Sequence, residues 1–180
     1  MTEDRIGRGR LCVLYANDNA YRPGKGALNS ITHALTMNGR IHGELKDPWD
    51  SPAEVLRKRA GLLDGTSRYS LSLWRLPDGV PFDLVDLANW PQEYVQVAGS
   101  HERLTVELRR SEGGVARHYV VGHVDGSERT SDEVIIPWNG YEARVRASEV
   151  FDAGEAAAVL FAYYLAGDVP SSYALRPLEI

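Results

Sequence analysis

Any chemistry in this chain of 180 residues would have to come from five histidines, one cysteine, a basic glycine loop and a few neighbouring carboxylates. His33, His42, His101, His118 and His123 are the imidazoles, and none of their intervals is a recognised zinc-ligand spacing. His118 and His123 are five residues apart, which on a regular strand turns them to opposite faces; joint ligation there would need a bulge. His33 and His42 flank an expected helix end with no cysteine near them. Cys12 is the single thiol, which rules out an internal disulfide and a multi-thiolate metal site. Its setting, Leu11-Cys12-Val13-Leu14-Tyr15, marks it as a small buried apolar residue, with no acid or base pattern around it to make it reactive.

Arg22-Pro23-Gly24-Lys25-Gly26-Ala27 has some parts of a phosphate loop, since backbone amides and a lysine can hold an anion at a helix N-terminus. A P-loop lysine, however, is followed by Ser or Thr to meet magnesium, and Lys25 is followed by Gly26. The segment therefore reads as an ordered turn. Serine, histidine and aspartate all occur, but no Gly-x-Ser-x-Gly elbow does. Glu107 and Glu112 could be imagined as an acid–base pair. Glu107, though, lies with Arg109 and Arg110 in an alternating stretch, where cross-strand pairing with a residue such as Arg117 is the expected role. No catalytic, cofactor-binding or metal-binding residue is assigned, and the chain is expected not to be an enzyme.

The elements that would position these residues change character along the chain. Up to about Thr66 the sequence is rich in turn formers. Leu11 to Tyr15 suggests a strand, and ANDNAYRPGKG should be irregular. Leu28, Ile31 and Leu35 recur at three- and four-residue steps, predicting a short amphipathic helix over Ala27 to Met37 that stops at Asn38-Gly39. Ser51-Pro52-Ala53-Glu54 is a capping box with proline at the first helical position, launching a second helix to about Leu63. From Arg68 the period becomes two. Tyr69 to Trp74, Tyr94 to Ala98, Leu104 to Arg109, His118 to His123 and Val134 to Trp138 read as strands, and Tyr141 to Arg146 alternates in the same way. A helical turn or short helix is expected within Pro81 to Trp90. The connections are short and marked by glycine, so the strands should form an antiparallel meander.

The last segment is a helix followed by a brief tail. Asp152 and Glu155 make a capping box, GEAAAVLFAYYLAG has high helix propensity, and Gly167 with Pro170 ends it. Val159, Leu160, Tyr163 and Tyr164 share a face wide enough to lie against a sheet. The predicted fold is thus α+β: an antiparallel sheet meander packed against a C-terminal helix, with a helical, loop-rich N-terminal region. The expected division is residues 1–66 as that N-terminal region with two short helices, and 67–180 as the α+β domain.

From about Tyr69 to Ile180 the chain resembles the immunity proteins of bacterial polymorphic toxin systems, specifically the first of their numbered families, common in actinobacteria. Val150, Phe151, Glu155, Ala156, Ala157, Phe161, Tyr164, Gly167 and Pro170 carry the resemblance. Many members end in a strand bearing tryptophan after the proline, whereas Tyr173-Ala174-Leu175-Arg176 stands here. The resemblance implies a cytoplasmic protein that binds and neutralises a cognate toxin domain, such as a nucleic-acid deaminase or nuclease. The alternative is an adaptor or structural interaction module without a toxin partner, using GRGR and the RPGKG loop for a second contact.

Composition fits a protein-binding role. The formal charge of −5 is unevenly spread. Residues 1–66 hold 10 Lys+Arg and 8 Asp+Glu, giving +2, while residues 67–180 hold 10 and 17, giving −7. A carboxylate-rich second part is a poor direct binder of nucleic acid and a suitable partner for a basic protein. No run approaches the roughly 18 apolar residues of a membrane span. The first residues, MTEDRIGRGR, lack the apolar core of a secretory signal, so a cytoplasmic location is expected. Partner contacts are expected at Trp90 and Glu93, where an aromatic sits beside acidic groups, and at Asp125, Glu128, Asp132 and Glu133 in the most acidic loop.

Overall fold

The computed structural model describes residues 31–124 and 133–178. The strand expected around Cys12, the RPGKG turn and the loop carrying Asp125, Glu128 and Asp132 lie outside the described residues. The described elements run β1 (His33–Met37), β2 (Ile41–Glu44), α1 (Pro52–Gly61), β3 (Ser70–Arg75), β4 (Tyr94–Ser100), β5 (Arg103–Glu112), β6 (Val115–His123), β7 (Glu133–Trp138), β8 (Tyr141–Arg146), α2 (Ala153–Ala166) and β9 (Tyr173–Leu178). Seven strands form one sheet in the order β2-β1-β3-β4-β5-β6-β9, and β7 and β8 form a separate two-stranded sheet. Every adjacent pair in the large sheet is antiparallel. The α+β class is therefore observed.

Local sequence sets the turns. Gly113-Gly114 and Asn139-Gly140 both take positive φ at their two positions, the backbone of two-residue hairpin loops between β5 and β6 and between β7 and β8. The helices begin as their caps dictate. The Glu155 amide donates to Asp152 Oδ1 at 2.8 Å and the Asp152 amide to Glu155 Oε2 at 3.0 Å. At α1 the Ser51 amide donates to Glu54 Oε2 at 3.0 Å, and Gly167 closes α2 in the left-handed conformation.

Both helices contribute to one core on one face of the sheet. Val55 and Leu56 of α1, and Val159, Leu160 and Tyr163 of α2, join Leu71, Leu73, Val95, Val97, Val106 and Leu108 in a single buried cluster. Each fully buried leucine among these contributes about 1.5–3 kcal/mol through apolar burial. The β7–β8 hairpin lies elsewhere: its buried Ile136 and Val145 cluster with Val120 of β6, with Leu178 of β9 packed alongside. Gly99 permits the approach. Its φ is +123°, and a Cβ there would fall 2.3 Å from the Arg103 carbonyl oxygen and 2.7 Å from Ile136 Cγ2.

Four expectations are corrected. Residues 33–37 form a strand, not the end of a helix over Ala27 to Met37. His33, Leu35 and Met37 alternate towards the helix-covered side, and Asn38-Gly39, both at positive φ, turn the chain into β2 rather than stop a helix. Residues 31–66 accordingly supply β1, β2 and α1 to the common sheet and core, instead of standing as a helical, loop-rich region. Glu107 does not pair with Arg117: the register sets it opposite Gln96 and Val120, while Arg117 faces Arg110. The tail after α2 also gains structure, as β9 on the outer edge of β6.

Candidate functional site

The sheet face away from the helices carries polar residues because one register runs across it. Thr36 pairs with His42 and with Ser72, Ser72 with Gln96, Gln96 with Glu107, and Glu107 with Val120. Side chains two apart on a strand share a face, so Trp74, Tyr94, Arg109 and His118 flank this row on the same side. The chain covers parts of it. The connection from β3 to β4 brings Phe82, Val85 and Trp90 against buried Trp74 and Leu76, and the β7–β8 hairpin covers Val120.

Among the described residues this face holds a groove of about 340 Å³, with Thr36, His42, Ser72 and Gln96 among its floor and Trp90 and Tyr94 among its walls. Much of the floor is internally satisfied. Trp74 Nε1 donates to Thr36 Oγ1 at 2.9 Å, and Thr36 Oγ1 lies 2.9 Å from His42 Nδ1. Burial lowers the His42 pKa, which favours the neutral ring that can accept the threonine proton at Nδ1. Ser72 Oγ donates to Gln96 Oε1 at 2.9 Å.

Arg109 is the charged member of the groove lining. Its guanidinium carbon lies 5.9 Å from the centre of the Tyr94 ring, and its Nε is buried with no hydrogen-bond acceptor among the described residues. Burial pushes the Tyr94 phenol up, partly opposed by the Arg109 charge. Burial also raises the half-buried Glu107 carboxyl. His118, directly opposite Arg109, is lowered by burial and then by that arginine.

The expected contact residues meet different fates. Trp90 packs beside Trp74 and donates from Nε1 to the Arg75 carbonyl oxygen at 3.0 Å, so it supports the groove wall. Glu93 Oε1 accepts the Ser111 amide at 2.8 Å, and Glu133 faces Arg144 at 3.4 Å across the β7–β8 hairpin. Trp90 and Glu133 thus belong to the two separate covers of the sheet face.

Two residues of interest escaped sequence reasoning. Trp49, between β2 and α1, is 90% exposed. Its turn is ordered: Asp47 Oδ1 accepts the Trp49 amide at 2.8 Å and the Asp50 amide at 3.1 Å. The signal was an Asp-Pro-Trp-Asp turn just ahead of a capping box, where a tryptophan has no apolar neighbour in sequence to pack with. Arg109 gave no such signal, since its place in the groove depends on pairing between distant strands.

Among the described residues no group of three or more His, Cys, Asp or Glu is arranged to hold a metal ion, and no helix is long and apolar enough to cross a membrane. No family model, curated protein or solved structure matches the chain.

Proposed function

We propose that this chain is an immunity-type binding protein, which holds a cognate protein toxin inactive by covering its working surface. The observation that carries a protein-binding role is Trp49. An aromatic side chain left 90% in solvent on a turn pinned by Asp47 is poorly used for stability. The same geometry suits an interface anchor, because a tryptophan has only two side-chain torsions to fix on docking and its backbone is already pinned. Asp50, beside it, is held by Lys58, and the excess of carboxylates in residues 67–180 would steer a basic partner. The likeness of the C-terminal helix and its flanks to the immunity family supplies the toxin as that partner.

The test is co-expression with the toxin domain encoded by a neighbouring gene, followed by binding of the purified pair. Growth rescue and a specific complex are expected. Trp49→Ala should weaken that complex by about 2 kcal/mol or more while leaving thermal stability unchanged. Failure to protect against or bind any neighbouring gene product, with the chain folded, would overturn this reading.

A further inference from the structure

A separate site lies on the sheet face, where one half-buried arginine, beside Tyr94, lacks among the described residues the carboxylate partner that Arg110 and Arg176 have. Arg110 Nη1 donates to both Asp168 oxygens at 3.1 Å, and its Nε donates to Glu112. Arg176 is held by Glu149. Arg109 is half-buried like these two, yet no described carboxylate lies within ion-pair distance of it and its Nε has no acceptor. Arg109 lines the open groove, and a guanidinium is a planar fork whose terminal Nη edge can make two parallel bonds to a planar oxyanion.

The surroundings define what would fit. Glu107, two residues away on the same face, is the nearest acidic residue along β5; burial raises its carboxyl, and it does not line the groove. His118 across the strand is biased towards the neutral ring. The rest of the floor is uncharged: Ser72 and Gln96 are bonded to one another, and Thr36 is tied to Trp74 and His42. Leu87, Trp90, Pro91 and Tyr94 add flat or apolar wall to the same groove. A volume of about 340 Å³ is at the small end of ligand pockets.

We propose that this groove binds a carboxylate attached to a flat apolar body, with Arg109 as the bidentate anchor and Trp90 and Tyr94 flanking the apolar part. The carboxylate belongs either to a small free acid or to the C-terminus of a peptide ending in an aromatic residue. The site does not depend on the toxin-binding reading or on Trp49.

The experiment titrates the full chain with benzoate, with benzamide as its neutral isostere, and with a short peptide ending in phenylalanine, its C-terminus free or amidated. Binding is read from amide and side-chain NMR shifts of Tyr94, Gln96 and Arg109. Saturable binding of benzoate or the free peptide at these signals is expected, with the neutral counterpart at least about tenfold weaker, as the loss of charge-assisted hydrogen bonds implies. Tighter binding of the free peptide than of benzoate assigns the site to chain termini; equal or weaker binding assigns it to small acids. Arg109→Met, checked for folding by circular dichroism and melting, should abolish the preference for the charged ligand, and Arg109→Lys should restore it in part. Equal binding of benzoate and benzamide, no binding of either acid, or shifts confined to other surfaces would each overturn the proposal. The neutral-analogue arm keeps it falsifiable even if the arginine variants do not fold.

Discussion

Arg176 on strand β9 and Glu149 just before α2 form a largely buried ion pair that ties the edge strand of the sheet to the segment leading into α2. Arg176 Nη2 donates to Glu149 Oε2 at 2.8 Å and its Nε donates to the other carboxylate oxygen. The Glu149 side chain is 4% exposed and also accepts the Arg146 amide at 2.9 Å. Gly122 on β6 lets this carboxylate sit so close, since a Cβ there would fall 3.2 Å from Glu149 Cγ. Removing one partner of a buried pair leaves the other charge desolvated and alone. Arg176→Met should therefore destabilise the fold by about 3 kcal/mol, the low end for buried pairs because the arginine is partly in solvent. A denaturation midpoint equal to the parent protein's would show that the pair adds nothing.

The same pair sets a pH response. Burial alone would raise the Glu149 carboxyl, but hydrogen bonds from Arg176 and the Arg146 amide, with the charges of both arginines, together hold it below its ordinary value of 4.5. A depressed carboxylate binds its proton more readily in the unfolded chain. Its stabilisation is thus complete above about 4.5 and is lost as pH falls through the lower folded value. Urea midpoints of the parent and of Glu149→Gln, measured between pH 7 and 3, should converge at the acid end of this window.

His33 acts in a different window. Burial, with a smaller push from Arg75, lowers its pKa from 6.5 to about 4. The ring packs 4.7 Å from that of Tyr164 in α2. Because the unfolded chain takes up this proton first, stability should be full above pH 6.5 and decline as pH falls towards 4. The loss is on the order of 2 kcal/mol. His33→Gln should reduce the slope of the pH 6.5–4 portion of the stability curve, to which His42 and His118 also contribute, and leave in place the lower portion, where Glu149 titrates with other depressed carboxylates such as Asp64.

Packing gives two sharper tests. Leu160 is fully buried in the main core, so Leu160→Ala should cost about 2–5 kcal/mol, read as a lower denaturant midpoint at constant slope. Gly99→Ala combines an unfavourable φ of +123° with a collision against the Arg103 carbonyl oxygen and Ile136. We expect a loss of about 2 kcal/mol or more and increased amide exchange in β7 and β8, because Ile136 must move first. Unchanged exchange in the hairpin would argue against its close seat on the sheet.

Several elements could be read from local chemistry. Asp152 with Glu155, Ser51 with Glu54, Gly167, and the Gly113-Gly114 turn each act through backbone needs satisfied within a few residues, and each stands where the sequence put it. Asn38-Gly39 was ambiguous because the same positive-φ pair can end a helix or turn a hairpin, and only pairing of β1 with β3 decides between them. Tyr173 to Leu178 hid as a tail because Pro177 argues against an interior strand; it is tolerated since β9 is the sheet's outer strand. The groove was less legible still. Trp90 holds the groove wall and Glu93 the end of β5, while Arg109 acquires its setting from Tyr94 and His118 on neighbouring strands.

Association with a basic toxin should be steered by charge. Residues 67–180 carry a formal charge of −7, and four of their carboxylates, Asp125, Glu128, Asp132 and Glu133, fall within nine consecutive positions. Opposite charge accelerates encounter before the surfaces dock, and salt screens it over about 8–10 Å at ordinary ionic strength. In stopped-flow mixing, the association rate should therefore fall steeply as salt is raised while the dissociation rate changes little. Replacing the four carboxylates by their amides should slow association at low salt and flatten its salt dependence. The cost in stability should be small, since the described ion pair among them, Glu133 with Arg144, is exposed. An association rate of the parent protein that ignores salt would remove electrostatic steering and leave Trp49 to account for recognition through apolar contact.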